Sequence, residues 1–267
     1  MGDGLRLYLR YLEISIRSQL QYRASTTMLG IGSLLITVIE FVGIWALFQR
    51  FGNLRGWTLP EVALLYGMAE STFALSRIVS RGLDTFPSLV VSGGFDRLLV
   101  RPRSTVLQLM GRELAVRRLG RLFQGLTVLI WAAHTLHVDW TPAKLLLLLA
   151  SMAGGTCLFL GLALVEATIA FWTIEPLEIM AAFTDGGAYA SQYPMTIYGR
   201  WFRTFFTFIV PLACVNYLPS LAIMGKADPL HTPRAAQWLA PLAGLLFLLV
   251  ALRLWHLGVR RYMSTGS

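Results

Sequence analysis

Apolar runs long enough to cross a bilayer recur along the chain, separated by short polar or arginine-bearing stretches. The first covers about Thr26 to Phe48, the second about Leu59 to Ser80, and the third about Leu119 to Leu136. A fourth occupies Leu145 to Trp172. A fifth begins near Trp201 and is broken by Pro211 and Pro219, and a sixth covers about Trp238 to Leu257. At about 1.5 Å per residue, roughly 20 apolar residues span the ~30 Å hydrocarbon layer. The pattern predicts an all-α integral membrane protein with six transmembrane helices. Ahead of the first run, Leu5, Leu9, Leu12, Ile16 and Leu20 recur at helical spacing, with Arg6, Arg10, Glu13, Arg17 and Gln21 one residue later. Such paired stripes predict an N-terminal amphipathic helix over 1–25, lying in the membrane interface.

Local signals divide the chain, read as one transmembrane domain. Residues 26–81 hold spans one and two, 82–118 a cytoplasmic loop, and 119–172 spans three and four. A second cytoplasmic loop covers 173–200, and 201–257 hold spans five and six. Thr58-Leu-Pro-Glu61 has the form of a capping box that opens span two. Ser104 is placed to cap a helix that enters the membrane near Leu119. Pro176, Asp185, Gly186-Gly187, Pro194 and Gly199 make 173–200 read as a loop with short helical pieces. Gly154-Gly155 suits close helix contact.

Composition agrees with this reading. Of 267 residues, 55% are hydrophobic and only 14% charged, with a mean hydropathy of +0.60; soluble domains carry about a quarter charged residues. The net charge of +9 comes from arginines that punctuate the apolar runs, which is topology and not a nucleic-acid footprint. Eighteen of the Lys and Arg residues fall on segments assigned to the inside and five on the outside, so both termini and the arginine-rich loop are expected in the cytoplasm. Leu5 to Arg23 is too polar for the apolar core of a signal peptide. Cys157 and Cys214 lie within apolar runs and read as packing residues. His134 and His137 are two ligands at most, too few for structural zinc, so no metal site is expected. No G-x-x-x-x-G-K-[ST], G-x-S-x-G or H-E-x-x-H occurs. The chain therefore has no means of hydrolysing nucleotide by itself and is not expected to be an enzyme or to hold a cofactor.

The loop after span two carries the most particular chemistry. Gly93-Gly94 breaks any helix that enters from Pro87, Phe95 to Val100 offers about one helical turn, and Pro102 stops it. As a positive-inside anchor, this stretch needs only its arginines. As a docking element, Asp96, Arg97 and Arg101 would ion-pair with a partner while Phe95, Leu98 and Leu99 fill an apolar notch. Three acids sit inside apolar runs, Glu40, Glu70 and Glu166, and each must face protein or water. They either pair with neighbouring helices, Glu70 with Arg77 two turns away, or line a translocation path.

Two stretches narrow the family. Ser92-Gly-Gly-Phe-Asp-Arg-Leu-Leu-Val-Arg-Pro102 resembles a G-x-x-D-x-x-L-x-x-P loop. Tyr193-Pro-Met-Thr-Ile-Tyr198, Phe208-Ile-Val-Pro211 and Tyr217-Leu-Pro219 resemble a Y-P-x-x-I-Y … I-x-P … Y-x-P pattern. With the order of spans, the whole chain resembles an ABC type-2 transporter permease of a bacterial branch. The resemblance implies a permease subunit of the bacterial cytoplasmic (inner) membrane that works as a dimer with an identical or sister chain. It also implies export of a lipid, glycan or drug, and a coupling helix in the 82–118 loop that docks on cytoplasmic ATPase subunits, which bind the ATP and Mg. Two other readings remain beside it: a proton-coupled secondary transporter using Glu40 or Glu166, and a membrane scaffold or sensor that moves nothing.

Overall fold

The structure, a computed structural model, describes residues 23–173 and 178–262, together with Glu13, Ile14, Arg17, Ser18 and Gln21. The stripes expected over 1–25 thus lie almost wholly outside the described residues; Arg17 and Glu13 form an i, i+4 ion pair at 2.6 Å. Apart from an isolated bridge between Leu54 and Trp57, the regular structure described is helical. In chain order the helices are α1 (Arg23–Phe51), α2 (Leu59–Val79), α3 (Arg81–Asp84), α4 (Phe86–Val91), α5 (Asp96–Leu99) and α6 (Thr105–Met110). There follow α7 (Leu119–Thr135), α8 (Pro142–Ile169), α9 (Glu178–Ser191), α10 (Arg200–Phe208), α11 (Leu218–Met224), α12 (Arg234–Leu239) and α13 (Leu242–Arg261).

Helix α2 is the centre of the bundle. Its start is the expected capping box: the Glu61 carboxylate reaches back to accept from the Thr58 N–H at 2.8 Å. Apolar and small side chains run round its whole circumference, so it is buried along most of its length. Helix α7 packs against it where Gly67 leaves room, since a β-carbon there would come within 2.7 Å of the Leu129 backbone. Helix α8 lies alongside, with the Phe73 and Phe159 rings edge-on at 5.1 Å. Helix α13 follows α8 so closely that β-carbons on Gly154 and Gly244 would collide with the backbone opposite, as expected of small-residue contacts between membrane helices. Helix α1 is fastened by Tyr66, whose hydroxyl donates to the Thr37 carbonyl at 3.1 Å. Its outer face is a run of exposed apolar residues, Ile39 among them at 69% exposure.

Among the described residues, four stretches are long and apolar enough to cross a membrane: 24–51, 59–79, 142–169 and 242–261. The pair α10 with 213–224 would make a fifth, but its halves meet at 79°. Helix α7 has 17 residues, about 25 Å at the usual rise. Six spans are expected from the sequence; among the described residues the long apolar helices number four, or five with the bent pair.

The largest departure lies between α8 and α13. Where 173–200 reads as a loop, residues 178–191 form the 14-residue helix α9. Gly186-Gly187 fails to break it because tertiary packing outweighs propensity: Gly187 backs onto Leu212, whose Cδ1 would lie 3.0 Å from a β-carbon there. Beyond α9, Trp57 Nε1 donates to Thr196 Oγ1 at 3.2 Å and Arg55 donates to the Thr196 carbonyl at 3.1 Å. Lys226 Nζ in turn donates to the Gly56 carbonyl at 3.1 Å. Both ends of the α10–α11 segment therefore meet the hairpin at 53–57, and the segment enters and leaves on one end of the bundle. Arg200 and Arg203, expected inside, line a cavity with Tyr217 and Thr232 at this hairpin end. The bend falls at Pro211, after α10 ends. Pro219 opens α11 behind a π turn over Ala213–Tyr217, a widening that accommodates a ring with no N–H to give. The helix expected from Ser104 is likewise interrupted: α6 stops at Met110, and a 3-10 turn at Val116–Arg118 precedes α7.

Candidate functional site

At the other end of the bundle, the segment 81–110 folds into four short helices laid against α8 and α13. The chain reverses at Gly93, whose φ of 66° favours glycine. Gly94 is buried under the Leu89 side chain, where a β-carbon would come within 2.9 Å of Leu89 Cδ2. The tight turn drives Phe95 inward, and its side chain is fully buried in its own chain. Its ring meets Phe86 at 5.1 Å, Phe171 at 5.6 Å, Trp255 at 6.3 Å and Tyr262 at 5.1 Å, all edge-on. Trp255 Nε1 also donates to Thr105 Oγ1 at 2.9 Å, tying α6 to α13. Burial, and then the neighbouring Asp96 carboxylate, raises the Tyr262 phenol above its ordinary pKa. Arg97, Leu99, Val100, Arg101 and Pro102 form the outer rim, with Val100 84% exposed, while Leu98 is half-buried.

A line of polar groups runs through the interior. Arg121 on α7 holds Glu70 on α2 in a two-pronged ion pair, Nε to Oε2 and Nη2 to Oε1, the latter at 2.8 Å. Gln192 donates to the same Glu70 Oε1 at 2.7 Å. Tyr189 donates to Glu40 Oε1 on α1 at 3.2 Å, while Glu40 Oε2 is buried with no donor among the described residues. Nearer the loop, Arg77 is divided between Asp84 and Asp185, both at 3.2 Å. Glu166 lies within electrostatic reach of Arg77, and its Oε2 also lacks a donor among the described residues. The pairing expected between Glu70 and Arg77 is thus corrected: each has other partners, supplied by α7, α3 and α9.

One family model matches residues 34–266, that of the ABC-2 family transporter protein. The chain belongs to the ABC-2 family. No curated protein and no solved structure matches it. An ABC-2 permease is a multi-pass membrane subunit of a transporter and is not itself an ATPase.

Within this ABC-2 permease, the structure brings Gly93, Gly94, Phe95, Asp96, Arg97, Leu98, Leu99, Arg101 and Pro102 together in one turn, with Phe95 pointing into the protein and not toward a partner. It joins Glu40 and Glu70 to one polar line on α1, α2, α7 and α9, and leaves Glu166 with the Arg77 group. His134 and His137 have ring centroids 6.4 Å apart, and no cluster of three or more metal-ligating side chains occurs among the described residues. Sequence reading passed over Arg121, Tyr189 and Gln192 as members of the interior line. Arg121 looked like one more loop arginine, and the other two fell in the segment read as a loop.

Proposed function

We propose that this ABC-2 permease is the membrane half of an exporter driven by separate cytoplasmic ATPase subunits, which bind the ATP and Mg. The observation that carries the reading is the build of the 86–102 turn: Phe95 is locked into the ends of α8 and α13 while Arg97, Val100 and Arg101 face outward. A positive-inside anchor needs the charge but not this internal fastening. Force on such a turn passes directly to two long helices through packed aromatic rings, and to α2 and α9 through Asp84, Arg77 and Asp185.

The rest of the proposal follows from depth and charge. Six crossings are assigned to α1, α2, α7, α8, α9 and α13, with the α10–α11 pair re-entering from the hairpin end, so both termini lie with the arginine-rich loop in the cytoplasm of a bacterial inner membrane. Glu40, with Tyr189 at 46% exposure beside it, opens on the flank of a single chain at mid-span. A carboxylate there needs protein or water instead of lipid. A second permease, identical or sister, supplies that cover, and the path runs between the two. Glu70 is engaged by Arg121 and Gln192 and serves as structure; Glu40 and Glu166, each with a buried oxygen that has no donor among the described residues, are the acids left for the path. The test is co-purification from a mild detergent followed by reconstitution. A soluble P-loop ATPase that is retained, and whose hydrolysis changes when the permease is present, supports the reading. Recovery of the permease with no ATPase under any condition contradicts it.

A further inference from the structure

Beside the aromatic fastening, the turn opens a cavity of about 290 Å³ lined by Leu89, Arg97, Leu98, Arg101, Gln108 and Arg112. Three guanidinium groups border it, and no carboxylate does. Arg97, Arg101 and Arg112 are exposed, and none is in an ion pair among the described residues, although Arg81 close by pairs with Asp84 and Glu113. Asp96, the nearest acid in sequence, neighbours Tyr262. Gln108 fastens the wall of the cleft. Its side chain is 6% exposed, and its amide is fixed by donation to the Leu98 and Arg103 carbonyls at 3.2 and 3.1 Å. That leaves its buried Oε1 without a donor among the described residues. Oε1 is itself sealed off, so what an entering group meets is the three guanidinium groups and the leucines beside them.

We infer that this cleft is the seat of an acidic segment of the ATPase, a carboxylate entering among the three arginines. The inference rests on the docking reading above and adds to it the chemistry of the partner. Arginine presents a planar fork matched to a carboxylate, and three of them around one apolar-floored cleft favour an anion over any other occupant. A phospholipid headgroup is the competing anion. It fits less well, because Leu89 and Leu98 line the cleft beside the arginines and suit the apolar side chains that flank a carboxylate in a protein segment.

The test uses the full-length permease in nanodiscs of phosphatidylcholine and the ATPase that co-purifies with the wild-type chain. Binding is measured for wild type, R97E/R101E/R112E, the neutral R97Q/R101Q/R112Q and, as a local charge control, R103E. All four positions are exposed, and thermal unfolding of each variant checks that it is folded. Expected are a loss of at least about ten-fold in affinity for the reversal triple, a smaller loss for the neutral triple, and little change for R103E. Wild-type binding should also weaken as salt rises. Unchanged ATPase binding in both triples overturns the acidic seat while leaving docking intact. Unchanged ATPase binding together with lost association of the triples with phosphatidylglycerol vesicles assigns the cleft to lipid and also overturns it. A wild-type chain that binds no ATPase fails both readings at once.

Discussion

The ring of Phe95 stands edge-on to that of Tyr262, 5.1 Å between centroids, so the turn after span two is fastened to the residue that ends the last helix. The two are far apart in sequence, and Phe86, Phe171 and Trp255 complete the cluster around them. Edge-to-face pairs each add about 0.5–1.5 kcal/mol beyond the area they bury. The fully buried Phe95 is therefore a structural pin, and the surface a partner touches is the outer rim.

Truncating that pin should act through stability first. Phe95→Ala leaves a cavity in a packed aromatic cluster and should cost about 3–5 kcal/mol, with a lower thermal midpoint for the detergent-solubilised permease. Phe95→Leu should recover a large part of it. Equal midpoints for Phe95→Ala and wild type would show that the cluster does not hold the turn.

The Glu70–Arg121 pair gives a second test. Glu70 has a side chain 1% exposed, and removing its partner strands a charge. Arg121→Leu should therefore cost about 3–5 kcal/mol. Glu70→Leu/Arg121→Leu should be more stable than Arg121→Leu alone, because no unpaired carboxylate remains. A double-mutant cycle on unfolding midpoints measures this coupling. Additive losses would mean that the two side chains do not act as a pair.

Helix contact through small residues can be tested at Gly244. A β-carbon there would collide with the Gly154 carbonyl, backbone against backbone, with no flexible side chain to give way. Gly244→Ala should push α13 from α8 and cut the yield of folded permease, while the same change at Gly186, which has open space around it, should be tolerated apart from helix propensity. Similar yields for the two variants would contradict this packing.

Much of this arrangement was legible in the sequence, and the part that was not has a physical reason. The capping box at Thr58–Glu61, four of the six long apolar runs, the close contact at Gly154 and the turn after Gly93 follow from local chemistry and appear where expected. Helix α9 did not, because Gly186-Gly187 argues against a helix locally and only contact with Leu212 makes one favourable. The partner of Glu70 was misread for a related reason: Arg77 shares its helix and is near in sequence, whereas Arg121 is brought in by the α2–α7 packing. The inward turn of Phe95 was hidden as well, since a phenylalanine between glycines and arginines reads equally as a surface anchor.

The crossing proposed for α9 carries its own prediction. In a variant lacking Cys157 and Cys214, single cysteines at Asn53 and Gly199 should react with a membrane-impermeant thiol reagent in intact cells, because both belong to the hairpin end. A cysteine at Val100 should react only after the membrane is opened. Protection of position 199 together with position 100 would return 173–200 to the cytoplasmic side and remove α9 as a crossing.

The central claim, that the turn after span two is where an ATPase couples to this permease, is tested most directly at Val100. Its side chain is 84% exposed, and it carries no charge to lose. A photo-crosslinking amino acid placed there, with Arg55 at the hairpin end as the control site, is irradiated in cells and the adduct identified by mass spectrometry. The account predicts that position 100 captures a cytoplasmic P-loop ATPase and position 55 does not. Position 100 yielding only lipid or no adduct, in cells that hold the intact transporter, would contradict it.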